Sequence, residues 1–164
     1  MPRHIAIPLA LFLLTAPAWA ADVVRHPLPN GNPFPIAQAV EVPRGKTLVF
    51  VSGTVPTLAD PSAPKDSIAA YGDTKTQTIS ALNAIRAALE GMHLAMRDVV
   101  KMQVFLVGDP AKGGRMDFEG FMQGYRQFFG TPEQPNLPAR SAMQVVALAN
   151  PGFLVEIEVA AVRP

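Results

Sequence analysis

The chain has 164 residues, enough for one domain with a substantial core. It holds no cysteine, which excludes a disulfide framework, a thiol nucleophile and a thiolate metal site. Fourteen basic against 13 acidic side chains give a net charge of +1, too balanced for the electrostatic footprint of a nucleic-acid binder or an anionic-membrane binder.

The first 20 residues read as a secretory signal peptide. Arg3 and His4 form a basic start, residues 5–15 are an apolar run interrupted by Pro8, and Ala18-Trp19-Ala20 offers small residues where a signal peptidase reads them. The run is too short to span a bilayer comfortably, so cleavage after Ala20 and a periplasmic or secreted protein are expected; an uncleaved anchor or a buried N-terminal helix is the plain alternative. Processing removes Arg3 and no acid, leaving 13 basic and 13 acidic side chains and, of the three histidines, only His26 and His93. Neither lies in a motif that suggests a metal site or a Ser-His-Asp triad.

Residues 21–35, rich in Pro, Asn and Gly, read as an irregular arm, and residues 36–164 as the domain. Loose alternation predicts a strand over 36–42, and the apolar run Leu48-Val49-Phe50-Val51 predicts a stronger one over 47–52. The turn Pro43-Arg44-Gly45-Lys46 between them suggests a hairpin. Pro56, Pro61 and Pro64 mark a long loop. Helical spacing of Ile79, Leu82, Ile85, Ala88 and Leu89 predicts a helix over 74–89, capped by Asp73 or Thr74 and ended by Gly91. A strand follows over 98–107, with Val100, Met102, Val104 and Leu106 on one face. A second helix is expected over 116–129, carrying Phe118, Phe121, Met122, Tyr125 and Phe129 as a core stripe and closed by Gly130. Strands over 140–148 and 154–162 complete the chain, the last alternating Val155, Ile157, Val159 and Ala161 against Leu154, Glu156, Glu158 and Ala160. The order is two strands, helix, strand, helix, two strands. This implies an α+β domain with two helices on one face of a mixed sheet.

Three local features carry chemistry. Arg140, in Pro138-Ala139-Arg140-Ser141, sits at the mouth of a strand after a rigid proline segment, and its planar fork suits a carboxylate; an ordinary surface arginine is the plain alternative. Glu156 and Glu158 share one face of a strand, either as a solvated face or as groups that orient water in a cleft. Ser52-Gly53 ends a strand where backbone can approach a ligand closely, or simply turns.

Five segments, in order, resemble the signatures of the RidA-like (YjgF) reactive-intermediate deaminase family. They are Val51-Ser52-Gly53-Thr54-Val55-Pro56, residues 98–106, Tyr125-Arg126-Gln127-Phe128-Phe129, Pro138-Ala139-Arg140-Ser141-Ala142 and Val155-Glu156-Ile157-Glu158-Val159-Ala160. The resemblance covers roughly residues 33–163. It implies a chorismate-mutase-like fold, a homotrimer with clefts between adjacent subunits, and hydrolysis of small 2-enamine and 2-imino acids to keto acid and ammonia without metal or organic cofactor. By the same resemblance Arg140 grips the substrate carboxylate and Glu156 positions the attacking water. The backbone at Gly53 and Ala142 lines the reacting end, and Ser52 lies near the substrate. The sequence departs from the pattern at Ile36, where deaminating members carry tyrosine, and at Met122, where many carry asparagine. Both changes make the pocket more apolar and imply a bulkier or less polar ligand. The alternative is a non-catalytic trimeric binding protein for small carboxylate metabolites. A ribonuclease reading finds no phosphate-binding or acid–base pair in the balanced charge and two isolated histidines. The expected partners are thus a small carboxylate and further copies of the chain, with no nucleic acid and, after cleavage, no membrane.

Overall fold

In the computed structural model, residues 22–164 are described; the proposed signal peptide lies outside them. The first long helix, α1 (Thr74–Gly91), begins where the Asp73 carboxylate accepts a hydrogen bond from the Thr76 N–H at 2.8 Å, satisfying one of the donors that a helix start leaves free. Its buried stripe is Gln77, Thr78, Ala81, Leu82, Ile85 and Leu89; Ala88 faces solvent. Gln77 has no exposed surface, and its amide is fully used: it donates to the carbonyls of Gly72 and Gly152 and accepts from the Leu154 N–H. A buried polar side chain satisfied at every point ties the helix start to the strand that lies beneath it.

The second helix, α2 (Phe118–Tyr125), is shorter than the stripe predicts, because turns rather than helix carry the chain from Arg126 to Gly130. Asp117 caps it through the Gly120 N–H. Gly120 and Gly124, one turn apart, allow α2 to lie close on α1. A Cβ on Gly124 would stand 2.8 Å from Thr78 and 3.2 Å from the Lys75 carbonyl.

Both helices cover one face of a four-stranded sheet. Its strands are β3 (Leu48–Thr54), β4 (Val99–Val107), β5 (Ala139–Val145) and β6 (Val155–Val162), in the order β3-β6-β4-β5. β6 runs antiparallel to β3 and β4, while β5 runs parallel to β4 at the edge, so the sheet is mixed as expected. Val155, Ile157, Val159 and Ala161 of β6 join Met102, Val104 and Leu106 of β4 under the helices in one core with Phe121, Tyr125 and Phe129.

Four expectations are corrected. Residues 36–42 do not form a hairpin with the next strand. Only β2 (Ala39–Glu41) forms, and it pairs with β1 (Val24–His26), inside what reads as an irregular arm. β3 pairs with β6 instead. The β1–β2 ribbon earns its place through Val23, Val40 and Val42, which cover Val100, Ala160 and Val162 on the face away from the helices. Val100 therefore does not share a face with Met102: a register irregularity between Val99 and Lys101 turns Val99 into the core and Val100 outward. Leu154 precedes β6 and is buried, anchored by Gln77, rather than alternating with the glutamates. β5 ends at Val145, and Val146 is fully exposed.

Candidate active site

Strand alternation decides where each predicted residue points. Arg140 is in register with Met102, a core residue, so its side chain rises on the helix face of β5, where Ala142 also packs against the core. There the guanidinium is enclosed by aromatic rings. Its carbon lies 4.3 Å from the Tyr125 ring centre, 4.9 Å from Phe121, 5.5 Å from Phe34 and 5.9 Å from Phe118. The stripe on α2 thus serves the core and also builds a cage for the cation, a role that helical spacing alone does not reveal.

The cage is desolvating. Burial pulls the Arg140 pKa below its usual value, partly offset by the neighbouring Tyr125 hydroxyl, yet an arginine stays charged at any physiological pH. Nη1 is buried without a hydrogen-bond partner, and among the described residues no carboxylate pairs with the group. Tyr125 has no exposed surface, and burial raises its own pKa well above the usual tyrosine value. Its hydroxyl donates to the Pro35 carbonyl at 2.9 Å. That bond, with the Ala37 N–H on the Pro138 carbonyl at 3.0 Å and a parallel bridge from Ala37 to Ala139, straps residues 34–37 along the start of β5. Ile36, half-buried, belongs to this strap. Met122 is 2% exposed and belongs to the core beside the cage; its thioether lines no open surface of a single chain.

Glu156 is in register with Phe105, three positions along β4 from Met102, and three is odd. Its carboxylate therefore lies on the opposite, open face of the sheet. There it lies against Gly53, where a Cβ would collide with its Oε1. Glu158, in register with Gln103, points to the same face. So does Ser52, because Val49 and Val51 take the core side of β3. Ser52 and Glu158 line one hollow of about 300 Å³ together with Phe50, Lys101 and Gln103. The open face carries exposed apolar side chains, notably Phe50 at 77% and Leu48 at 44%.

The predicted residues thus fall into two groups. Arg140, Ala142, Met122 and Ile36 gather at the helix face of β5; Ser52, Gly53 and Glu156 gather on the open face. Nothing within one chain brings the groups together. Among the described residues no three His, Asp or Glu side chains converge as metal ligands would.

The family described as endoribonuclease L-PSP matches residues 31–163. The chain belongs to this family, the YjgF/RidA group. Among its relatives is the 3-aminoacrylate deaminase RutC of Acinetobacter baylyi, 32% identical over 130 residues, which span 79% of this chain and 90% of the relative. A RutC family protein of Pyrococcus horikoshii is 30% identical over 131 residues, covering 80% of this chain and 91% of its own. Of the solved structures, TdcF of E. coli, crystallised with bound serine, aligns with a TM-score of 0.56 at 30% identity, covering 79% of this chain and 89% of that one. A Rid-family protein of Yersinia pestis reaches 0.65 at 22% identity, over 86% of this chain and 98% of its own, which speaks for the fold alone. The α+β architecture, with two helices on a mixed sheet, is that of the YjgF group.

Proposed function

We propose that this protein hydrolyses small 2-enamine or 2-imino acids to keto acids and ammonia, in a site completed by a second copy of the chain. The carrying observation is the Arg140 guanidinium, desolvated by four rings and without an anionic partner among the described residues. A buried unpaired cation of planar shape is poised for a carboxylate, and the two hydrogen bonds it can give gain strength away from water. The relative named 3-aminoacrylate deaminase and the neighbour with bound serine support a small carboxylate ligand and this reaction class.

Arg140 of one copy holds the substrate carboxylate. Glu156 of another copy, fixed against Gly53, accepts a proton from water while the water oxygen bonds to the imine carbon. The C=N π pair goes to nitrogen, which takes that proton from Glu156, giving a neutral carbinolamine; an enamine enters as its imine tautomer. Glu156 then takes the hydroxyl proton and passes it to the nitrogen, the C–N bond breaks as the C=O forms, and ammonia leaves with Glu156 ionised again. An imine carbon is already electrophilic, so the protein's contribution is placement. The face-to-face division of the two groups, and the apolar open face that a neighbour would cover, favour a closed homo-oligomer, a trimer by family resemblance. Cleavage after Ala20 and a periplasmic or secreted location belong to the same proposal.

The test follows the disappearance of 2-aminoacrylate or larger imino acids generated in situ. Arg140→Ala and Glu156→Gln should each be inactive alone, and co-refolded mixtures should regain activity, since mixed assemblies contain some intact composite sites. Failure of the mixture to recover would refute the two-copy site. The apolar Ile36, half-buried in the strap that runs along the start of β5, favours a second reading, a carboxylate-binding protein without turnover. It predicts ligand binding that needs Arg140 and is indifferent to Glu156→Gln.

A further inference from the structure

Resting on that reading, we infer that Phe34 is a specificity determinant and that the preferred ligand is a 2-imino or 2-keto acid with an aromatic or branched apolar side chain. Phe34 lies in the strap of residues 34–37 and not in the helix that carries the other rings. It stacks on Phe118 with 6.3 Å between ring centres and 16° between planes, and stands 5.5 Å from the Arg140 guanidinium carbon. Both Phe34 and Phe118 are only half-buried, whereas Phe121 and Tyr125 have no exposed surface. The closed side of the cage is therefore Phe121 and Tyr125, and its accessible rim is the Phe34–Phe118 pair.

A carboxylate fixed on Arg140 puts the ligand's α-carbon and side chain a few ångströms from the guanidinium, within reach of that rim. What the rim offers is apolar surface, with Ile36 two residues along the same strap and no hydroxyl or amide on any of the three side chains. A methyl group leaves most of this surface wet, while a phenyl or isobutyl group covers it. The strap is held by backbone bonds, Tyr125 Oη to the Pro35 carbonyl and the Ala37 N–H to the Pro138 carbonyl, so the Phe34 ring is presented by fixed main chain. An ordered apolar wall beside a charged anchor discriminates by side-chain size more sharply than a mobile one would.

The experiment is equilibrium binding by calorimetry of pyruvate, 4-methyl-2-oxopentanoate and phenylpyruvate to the wild-type protein, Phe34→Ala, Phe34→Tyr and Arg140→Ala. Binding is read without turnover, so a failed deaminase reading does not disturb it. Phenylpyruvate should bind roughly tenfold or more tightly than pyruvate to the wild type. Phe34→Ala should erase that preference: phenylpyruvate affinity should fall roughly tenfold more than pyruvate affinity, the loss common to both ligands reporting the missing cage ring and the difference reporting the rim. Phe34→Tyr, which keeps the ring, should restore the preference and also controls for any loss of fold in the alanine variant. Arg140→Ala should abolish binding of all three. Equal affinities in the wild type, or a preference that survives Phe34→Ala, would overturn the inference while leaving the anchor intact. No binding of any keto acid to the wild type would overturn both.

Discussion

Replacing Arg140 with methionine separates ligand recognition from folding. The two closest rings, Tyr125 at 4.3 Å and Phe121 at 4.9 Å, each stabilise the cation by about 0.5–2 kcal/mol. Against this stands the buried, unpartnered Nη1, whose lost hydration costs about 1–3 kcal/mol. The two nearly cancel. Methionine keeps an unbranched apolar stem in the same space, and its sulfur against the rings contributes about 0.3–1.5 kcal/mol. The unfolding free energy should therefore change by no more than about 1 kcal/mol, of either sign. Ligand binding fares differently. Two charge-assisted hydrogen bonds to a carboxylate contribute about 1.5–3 kcal/mol each, so affinity should fall roughly 100-fold or more. Urea unfolding followed by circular dichroism, beside calorimetric titration with a keto acid, measures both. A loss above about 3 kcal/mol of stability would show that the cage exists to hold the fold together, and unchanged affinity would remove Arg140 as the anchor.

Gly53→Ala should abolish turnover with little effect on ligand binding, because the new Cβ would displace the Glu156 carboxylate; steady-state assays beside keto-acid titration check this. Tyr125→Phe removes the hydroxyl that donates to the Pro35 carbonyl of the strap and should cost about 1–2 kcal/mol in urea unfolding. The same variant has a pH signature. Burial raises the Tyr125 pKa above its unfolded value, so its stabilising effect is complete below pH ~10 and is lost as pH climbs above it. The wild type should lose stability above that pH more steeply than Tyr125→Phe, and parallel slopes would contradict the burial argument. Asp73→Ala, deprived of the cap on Thr76, should lose about 1 kcal/mol, read as a fall in melting temperature.

Much of this architecture is legible in the sequence, and the parts that are not share a cause. The α1 stripe and the alternation of β6 are periodic patterns set by a single buried face, and both appear where spacing puts them except at Ala88, which faces solvent, and at Leu154, which lies before the strand and is buried. Periodicity does not say which strand is the partner. Residues 36–42 therefore suggest a hairpin, although β2 turns to β1 and covers the small cluster at Val100, Ala160 and Val162. Nor does it register an extra residue: the irregularity at Val99–Lys101 reverses Val100 while leaving Met102 onward as alternation predicts. Gly120 and Gly124 add nothing to an apolar period, and their close approach to α1 shows only in the packed helices. The cage was half-readable. Phe118, Phe121 and Tyr125 share a stripe, but Phe34 reaches Arg140 only through tertiary packing, which leaves no local pattern.

The division of the site between two sheet faces makes a last prediction that tells the two functional readings apart. Arg140 and Glu156 lie on β5 and β6 with β4 between them, and no rotamer carries either side chain through the sheet. On the proposed mechanism, carboxylate binding needs the helix face of one chain, and hydrolysis needs the open face of another as well. Phe50, 77% exposed on the open face, is the side chain whose change to aspartate should most disfavour covering by a neighbour, since a charge would have to leave water there. Phe50 packs on nothing in its own core, so the isolated chain should remain folded. Sedimentation should then show monomers whose affinity for a keto acid is weakened by only a few-fold, the anchor being intact, while turnover per chain disappears. Turnover that survives in a verified monomer would mean that Arg140 and Glu156 do not act on one substrate, and the hydrolytic mechanism proposed for the pair would fall with it.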